Sequence, residues 1–355
     1  MTAAKDSVKE SFAAFRPRPR LPIAELSLPS PRSRVLILGA DRLAKDLGDV
    51  LMSRAKFRYD LIGYLDMDPS RVGERFVNRG IIGTVEQLHD VVDHYGVQTI
   101  AVCLNDRRGG RLPVQSLLEL KAMGIEVVDG HDLYEKESGR LSIDLLKPST
   151  LIFSTGFRRR AFTMGVKRLC DFFCAAIGLV FLAPLFALVA MLIKLDSRGP
   201  VFYRQTRVGV GGVPYLIWKF RSMRTDAEAH GARWAVEQDP RITRVGWWLR
   251  KWRIDEFPQL VNVLKGEMSL VGPRPERPVF VQELRNRIPY YDLRYTVRPG
   301  ITGWAQIRYR YASSPEESHI KLQYDLYYVK NLSLTLDARI LFETARVVLL
   351  GEGSR

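Results

Sequence analysis

One uninterrupted apolar stretch constrains the fold of this chain more than any other feature of its sequence. From Phe172 to Ile193, 22 consecutive residues carry no charge. As one straight helix they extend roughly 33 Å, which is enough to cross the hydrocarbon core of a bilayer. The stretch therefore predicts a helix that enters a membrane or fills an unusually apolar core.

The position of Pro184 and the charges on both flanks bear on how such a helix would meet a membrane. Pro184 lies just past the middle, where it removes a backbone hydrogen bond and favours a kink. Basic residues precede and follow the stretch: Arg158, Arg159, Arg160, Lys167, Arg168, Lys194, Arg198, Arg204 and Arg207. Basic flanks mark the cytoplasmic side, and a spanning helix would place one flank on the opposite side. A re-entrant helix bent at Pro184 satisfies both flanks. The residues alone leave re-entrant and spanning helices open, with a buried core helix third.

Strand and helix patterns alternate in the N-terminal third of the chain. The predicted elements, in order, are a strand at Val35–Leu38, a helix at Arg42–Ser53, strands at Tyr59–Asp66 and Thr99–Leu104, a helix at Leu112–Met123 and a strand at Ile125–Val128. Such alternation predicts a doubly wound parallel sheet. The loop after the first strand keeps only Gly39 of a dinucleotide-binding fingerprint, and Asp41 would repel phosphates. A structural or regulatory role is favoured over a bound nicotinamide dinucleotide, and a nucleotide-sugar oxidoreductase is the rival enzyme.

The formal net charge of +15 predicts a polyanionic partner. Because the basic residues surround the apolar stretch, a membrane surface and a phosphate-rich substrate are favoured over nucleic acid. A non-enzymatic membrane scaffold would also explain the charge and the stretch. The first 32 residues are rich in proline and arginine, which predicts a flexible leader or a basic arm on anionic lipid. They contain no apolar core, so no signal peptide is expected. The three cysteines and five histidines lack disulfide or metal spacing, which suits a reducing compartment.

Two short strands, Val201–Gln205 and Tyr215–Arg221, are predicted after the apolar stretch. The glycines between them, Gly209, Gly211 and Gly212, favour a hairpin turn over a phosphate cradle, because no helix follows. The alternation of side chains along a strand places Lys219 and Arg221 on one face.

An adjacent pair of acids, Asp255 and Glu256, precedes a helical pattern that ends at Gly266. Pro258 is tolerated only in a first turn, so the helix is expected to start near Asp255. Neighbouring helical residues point about 100° apart, so the two acids are expected to do different work. Helix capping is the alternative explanation of the pair.

Two stiff loops follow, each holding one arginine. Arg274 lies between prolines in Val271–Pro275, and Arg298 lies in Val297–Trp304. Fixed guanidinium groups suit bidentate phosphate binding. With Lys219 and Arg250 they predict an anion site beside an acidic nucleophile.

The chain from about Lys167 to Val348 resembles the bacterial sugar transferases, the monotopic phosphoglycosyl transferases. The matching stretches are Lys219–Met223, the pair Asp255–Glu256, Lys265–Pro275, Arg298–Gln306 and Tyr324–Asn331. The N-terminal part resembles the Rossmann-like domain of the longer members, which make exopolysaccharide or O-antigen lipid intermediates. Longer members begin with several transmembrane helices, which are not seen here, and many carry Ser-Pro where this chain has Ala183-Pro184.

This resemblance implies an activity and its participants. A sugar 1-phosphate would pass from a UDP-sugar to polyprenyl (undecaprenyl) phosphate, with release of UMP and with Mg²⁺ as cofactor. Asp255 would be the nucleophile of a covalent intermediate and Glu256 the magnesium ligand. Asp325 lies in a matching stretch and would assist. The implied phosphate-binding residues are Lys219, Arg221, Arg250, Arg274 and Arg298. A homodimer on the cytoplasmic face of the bacterial inner membrane fits the family.

The predicted fold is therefore α/β, in five parts. They are a leader (1–32), a Rossmann-like parallel-sheet domain (33–147), a linker (148–165), a re-entrant membrane helix kinked at Pro184 (166–198) and a mixed α+β, mainly helical catalytic domain (199–355).

Overall fold

The computed structural model describes residues 32–104, 112–145, 156–157, 160–227, 239–309 and 314–349. The predicted leader up to residue 31, most of the linker, and Arg158 and Arg159 lie outside the described residues. Two compact units emerge: residues 1–40 with 51–127, and residues 41–50 with 128–355. The units divide at residue 127, whereas the sequence places the end of the first domain at 147. The other domain bounds stay predictions.

The first unit is built on a six-stranded sheet with the order β3-β4-β2-β1-β5-β6. The central strand β1 pairs in parallel with β2 and β5, and β2 pairs in parallel with β4. The edge strand β3 runs antiparallel to β4. The strands are β1 (Ser33–Leu38), β2 (Tyr59–Asp66), β3 (Arg75–Phe76), β4 (Arg79–Thr84), β5 (Thr99–Val102) and β6 (Glu126–Asp129). The helices of this part of the chain are α1 (Arg42–Ser53), α2 (Leu88–Tyr95) and α3 (Val114–Ala122).

The core of this unit explains why its central strand is apolar throughout. Leu36 and Leu38 are fully buried and cluster with apolar side chains of β2, β5, α2 and α3. Strands of parallel sheets are covered on both faces, so they carry no polar alternation. The predicted mixed α/β fold with a parallel sheet at the N-terminus is confirmed at this level.

The loop after β1 packs closely against other segments of the protein. Gly39 has a φ of 110°, and a Cβ there would lie 3.2 Å from the backbone of Cys103. The glycine therefore permits close approach of two chain segments. At the end of β2, Asp66 forms an ion pair with Arg71, whose guanidinium also reaches the carbonyl of Ala40. Contacts within the protein therefore explain why position 39 is a glycine and what the Asp66 carboxylate binds, with no dinucleotide needed.

The second unit contains the long apolar helix and the elements that carry the predicted site. Its helices are α4 (Gly130–Ser138), α5 (Ala161–Asp196), α6 (Arg244–Lys251), α7 (Gln259–Lys265), α8 (Pro278–Arg287), α9 (Trp304–Arg308), α10 (Pro315–Lys330) and α11 (Leu334–Leu349). Its strands are β7 (Phe202–Val208), β8 (Pro214–Phe220), β9 (Ser269–Val271) and β10 (Gly300–Thr302).

Helix α5 contains the apolar stretch and continues on both sides of Pro184. It is long and apolar enough to cross a membrane, and 11% of its most apolar window is buried by the protein. Val180 and Phe181, near its middle, are 74% and 79% exposed. So little burial argues against the core helix of a soluble domain. The kink at Pro184 stays a prediction.

Both ends of α5 are fastened to this unit. Near the start, the Lys167 ammonium donates to the carbonyl of Val271 and to Asp337, and Asp171 accepts from the amide of Leu270. Near the end, Val189 and Ile193 pack against Phe220 and Leu249 of the same unit.

Strands β7 and β8 form the predicted antiparallel hairpin. Gly211 and Gly212 have φ values of 65° and 79° in its turn, so the glycines serve the turn. Strand β9 pairs in parallel with β10, which brings the two arginine-bearing loops side by side. Gly272 permits this approach, since a Cβ there would lie 2.3 Å from the carbonyl oxygen of Arg298.

Candidate active site

The acid pair lies in a single 3₁₀ turn, Ile254–Glu256, just before α7. Asp255 and Glu256 are 8% and 7% exposed. Arg253, which precedes the turn, has a φ of 54°, a left-handed conformation that non-glycine residues rarely adopt. Such strained backbone is frequent at functional sites. Neither the turn nor α7 has a side-chain hydrogen bond at its N-cap, so capping does not account for the acids.

Glu256 is held by two cations from two other elements. The Lys219 ammonium, from β8, and the Arg274 guanidinium, from the proline-flanked loop, both donate to its Oε1 at 2.8 Å. Burial alone would raise the pKa of Glu256, but Arg274 and Lys219 outweigh it and hold the pKa well below its usual range. Glu256 is therefore a permanent anion that fixes both cations.

Asp255 lies near the same charged groups as Glu256 but differs from it in hydrogen bonding and in pKa. Among the described residues, no side chain donates a hydrogen bond to its carboxylate. Burial, opposed by Lys219 and reinforced by the negative charge of Glu256, raises the pKa of Asp255 to about 6. Within the described part of the chain, Asp255 is thus a buried carboxylate that accepts no hydrogen bond but lies near Lys219, Arg250 and Arg274, and this arrangement suits a nucleophile.

Arg250 completes this cluster from the last turn of α6, and its charge opposes the rise in the pKa of Asp255. Burial lowers the pKa of Lys219, and Glu256 opposes that shift. The structure thus brings together five of the predicted site residues: Lys219, Arg250, Asp255, Glu256 and Arg274.

A profile of the bacterial sugar transferases matches residues 162–351, more than half of the chain. The chain belongs to the bacterial sugar transferase family. The resemblance drawn from the motifs is therefore confirmed, and the matched residues include the whole of the acid–cation cluster.

Curated sugar transferases include several relatives of this chain. One from Aeromonas hydrophila, named UDP-N-acetylgalactosamine-undecaprenyl-phosphate N-acetylgalactosaminephosphotransferase, is 47% identical over 62% of this chain and 52% of its own length. The undecaprenyl-phosphate glucose phosphotransferase of Komagataeibacter xylinus is 34% identical over 88% of this chain and 58% of its own length. The UDP-glucose:undecaprenyl-phosphate glucose-1-phosphate transferase of Escherichia coli (strain K12) is 41% identical over 50% of this chain and 39% of its own length.

The chain thus spans about half the length of these relatives. Among solved structures, UDP-D-quinovosamine 4-dehydrogenase from Vibrio fischeri covers 31% of this chain and 88% of its own, with 19% identity and a TM-score of 0.24. A TM-score this low establishes no shared fold.

Two arginines of this sugar transferase that were expected to bind phosphate lie elsewhere. Arg221 donates to the carbonyls of Ser197 and Arg198 at 2.8 Å, beyond the end of α5. The Arg298 Nε donates to the carbonyl of Gly266 at 2.9 Å, just past the C-terminal end of α7. Asp255 precedes the opposite end of α7, whose seven residues rise about 10 Å. Both arginines satisfy carbonyls at helix ends, as cations commonly do.

Asp325 is bonded to Arg294 and not to the acid pair. It is 2% exposed on α10 and forms an ion pair with Arg294 at 2.8 Å. Sequence reasoning missed Arg294, and it missed Glu276, whose carboxylate pairs with Lys321 at 2.7 Å. For Glu276, the sequence signal that could have been used is its position directly after Pro273-Arg274-Pro275.

The described residues contain no group of three or more histidine, cysteine, aspartate or glutamate side chains that could hold a metal ion. Magnesium does not need such a cage, because it commonly binds one or two carboxylates together with substrate phosphates and water. Glu256 is the carboxylate of the pair that would hold the ion in such a site, while both cations donate to its Oε1. The expected homodimer and magnesium both stay predictions.

Proposed function

We propose that this chain transfers a sugar 1-phosphate from a UDP-sugar to polyprenyl phosphate at a membrane surface and releases UMP. The observation that carries the proposal is the division within the acid pair. Asp255 is buried without a hydrogen-bond donor among the described residues, whereas Glu256 fixes Lys219 and Arg274. The names of the relatives, which specify UDP-sugars and undecaprenyl phosphate, support this donor and this acceptor.

In the first step, an oxygen of the ionised Asp255 attacks the donor phosphorus that bears the sugar. The new bond joins the carboxylate oxygen to that phosphorus, and the bridging phosphorus–oxygen bond breaks. UMP leaves with the bond electrons, and the protein retains an aspartyl-phosphosugar. The step has an electrostatic obstacle, because a carboxylate must approach a pyrophosphate.

The cations of the site reduce this electrostatic repulsion. Arg274 and Lys219 are already oriented by Glu256, so they need little reorganisation when charge develops on the transferring phosphate. Arg250 adds a third positive charge near Asp255. Magnesium bound by Glu256 and the donor phosphates would neutralise further negative charge on the leaving group.

In the second step, a phosphate oxygen of the lipid attacks the same phosphorus. The aspartyl oxygen–phosphorus bond breaks, Asp255 returns to a carboxylate, and the product is a lipid diphosphate sugar. No proton has to be gained or lost at Asp255, which suits a site whose charged neighbours are Lys219, Arg250, Glu256 and Arg274.

The attachment of α5 supports a monotopic placement, and the basic flanks of the helix favour the cytoplasmic face of the inner membrane. Lys167 at one end and Ile193 at the other both contact elements of one compact unit. A helix whose two ends return to the same folded body fits a re-entrant segment better than a span. The acceptor phosphate sits at the membrane interface, so a re-entrant α5 would bring the acid pair within its reach.

The test is UMP release by the full chain in vesicles that contain undecaprenyl phosphate, with UDP-glucose and UDP-N-acetylgalactosamine as donors. The wild-type protein is expected to release UMP and to gain the mass of one phosphosugar when the acceptor is omitted. Asp255→Asn is expected to form no adduct and to lose at least about 10³-fold in rate, because the nucleophile is absent.

Asp226→Asn is the matched control, since Asp226 is an exposed aspartate that pairs with Arg224. It should keep wild-type activity and form the adduct. An Asp255→Asn variant that turns over normally would refute the covalent mechanism, and a wild-type protein inactive with every UDP-sugar would refute the function.

A further inference from the structure

The loop that carries Arg274 is fixed along its whole backbone. Four successive carbonyls accept hydrogen bonds from three other parts of the second unit. The donors are the Gly300 amide to Pro273 at 2.9 Å, the Arg294 guanidinium to Arg274 at 2.8 Å, the Arg207 guanidinium to Pro275 at 3.0 Å and the Val208 amide to Glu276 at 3.0 Å. The two prolines cannot donate, so the position of the loop depends on these donors.

Arg294 holds the carbonyl nearest the functional side chain, that of Arg274 itself. It is 4% exposed, and its orientation is set by Asp325 at 2.8 Å and by the Tyr291 hydroxyl, which accepts at 2.6 Å. A guanidinium buried this deeply requires a carboxylate partner, because an unpaired buried charge is strongly destabilising. Asp325 is therefore the group that allows Arg294 to hold the loop.

Helix α10 acts on the loop at two points, directly through Lys321 and indirectly through Asp325. Lys321 and Asp325 are four residues apart and lie on the same face of the helix. The Lys321 ammonium donates to the Glu276 carboxylate at 2.7 Å, while Asp325 acts through Arg294. The Arg274 side chain extends from this loop and donates to Glu256 at 2.8 Å.

We infer that Asp325 is a positioning residue of the transfer reaction, which acts through Arg294 to fix the Arg274 guanidinium beside the acid pair. The inference rests on the proposed function, because the group positioned is the proposed phosphate-binding cation. A small displacement of such a cation costs much of its effect on the transition state. Removal of the Asp325 charge should therefore act on activity through Arg274.

A double-mutant cycle tests this dependence. Asp325→Asn keeps the size of the side chain and removes its charge. It is expected to lower kcat at least about tenfold, counted per active site from the burst of UMP, with the KM for the UDP-sugar changed less than about threefold. In an Arg274→Ala background the same substitution should change kcat less than about twofold, because the positioned group is already gone.

The control is Glu135→Gln, which removes a mostly buried carboxylate that pairs with Lys330 on the same helix α10. It disturbs α10 without touching the loop, so kcat per active site should stay at the wild-type level in both backgrounds. An equal loss from Asp325→Asn in both backgrounds would mean a purely structural role and would overturn the inference.

Hydrogen exchange supplies a readout that does not depend on turnover. In Asp325→Asn the amides of Gly300 and Val208, which donate to the loop, should exchange faster than in the wild type, whereas Glu135→Gln should leave them unchanged. Unaltered exchange in Asp325→Asn would contradict the inference. A wild-type protein that releases no UMP would refute the proposed function instead, and the exchange result would still decide whether Asp325 orders the loop.

Discussion

Two adjacent carboxylates acquire opposite properties because their side chains leave the same turn in different directions. Glu256 meets two cations, and its pKa lies well below the usual range. Asp255 meets none at hydrogen-bonding distance among the described residues, and burial raises its pKa to about 6. Pairs of acids whose environments separate their pKa values are typical of sites where the two groups do different work.

The raised pKa of Asp255 predicts the pH dependence of the first step. Asp255 must be ionised to attack, so kcat/KM for the UDP-sugar should rise about tenfold per pH unit below pH 6 and level off above it. Glu256 stays ionised throughout this range. A profile measured between pH 4.5 and pH 8, by UMP release, checks this. A flat profile through pH 6 would contradict it.

The same shift predicts an effect on stability. The folded-state pKa of Asp255 lies above its ordinary value of 3.8, so its ionisation opposes folding as the pH rises through about 6. Relative to the wild type, Asp255→Asn should therefore gain on the order of 3 kcal/mol between pH 4 and pH 7. Denaturation of both proteins in detergent at the two pH values measures the difference. An equal response of both would refute the burial of a titrating Asp255.

At the scale of elements, periodicity predicted the long and regular segments. Helix α1 and strand β2 have the bounds that the sequence indicated, because each combines an apolar pattern with enough length. Strand β4 and helix α2 were not predicted. In β4, Gly80 and Gly83 interrupt a six-residue strand, so its alternation is too short to recognise.

Among the site residues, too, local patterns predicted some positions, whereas others depend on tertiary packing. The sequence grouped Lys219, Arg274 and the acid pair correctly. A strand, a proline-flanked loop and the turn before a helix each restrict where a side chain can point, and these patterns are visible in the sequence. Arg221 was grouped by strand alternation, but β8 ends at Phe220, so the rule no longer applies to it. Arg298 depends on how its loop packs against α7, and no local pattern carries that information.

This placement predicts different consequences for the two cations of the β8 segment. Arg221→Met should destabilise the second unit by about 2–4 kcal/mol, because the carbonyls of Ser197 and Arg198 lose their donor. Its kcat per active site should remain near the wild-type value. Lys219→Met, in contrast, should lower kcat strongly and leave the free energy of unfolding near the wild-type value. Thermal unfolding and burst-normalised turnover separate the two, and a catalytic loss in Arg221→Met without destabilisation would restore Arg221 to the phosphate site.

At the scale of the whole molecule, exposed apolar side chains are concentrated around α5. Phe162, Phe181 and Leu195 on this helix are 82%, 79% and 77% exposed. Trp247 and Trp248 are exposed on α6, whose Leu249 packs against the end of α5. Tryptophan is enriched at membrane interfaces, and a net charge of +15 suits an anionic surface. This distribution fits a protein that rests on one leaflet through α5 and α6.

The orientation of α5 can be tested by labelling with a membrane-impermeant maleimide, after Cys103, Cys170 and Cys174 are replaced by alanine. Arg160→Cys and Arg198→Cys place single thiols at exposed positions just outside the two ends of the helix. If both ends return to the same side, both thiols should react in inverted inner-membrane vesicles and neither in intact cells.

Phe181→Cys, near the middle of the helix, is the control for burial in lipid and should be protected in both preparations. A spanning helix would instead expose one terminal thiol to the outside of intact cells. Reaction of Phe181→Cys in inverted vesicles at the rate of the terminal positions would mean that the helix lies in water, because a thiol inside the hydrocarbon core is inaccessible to the reagent.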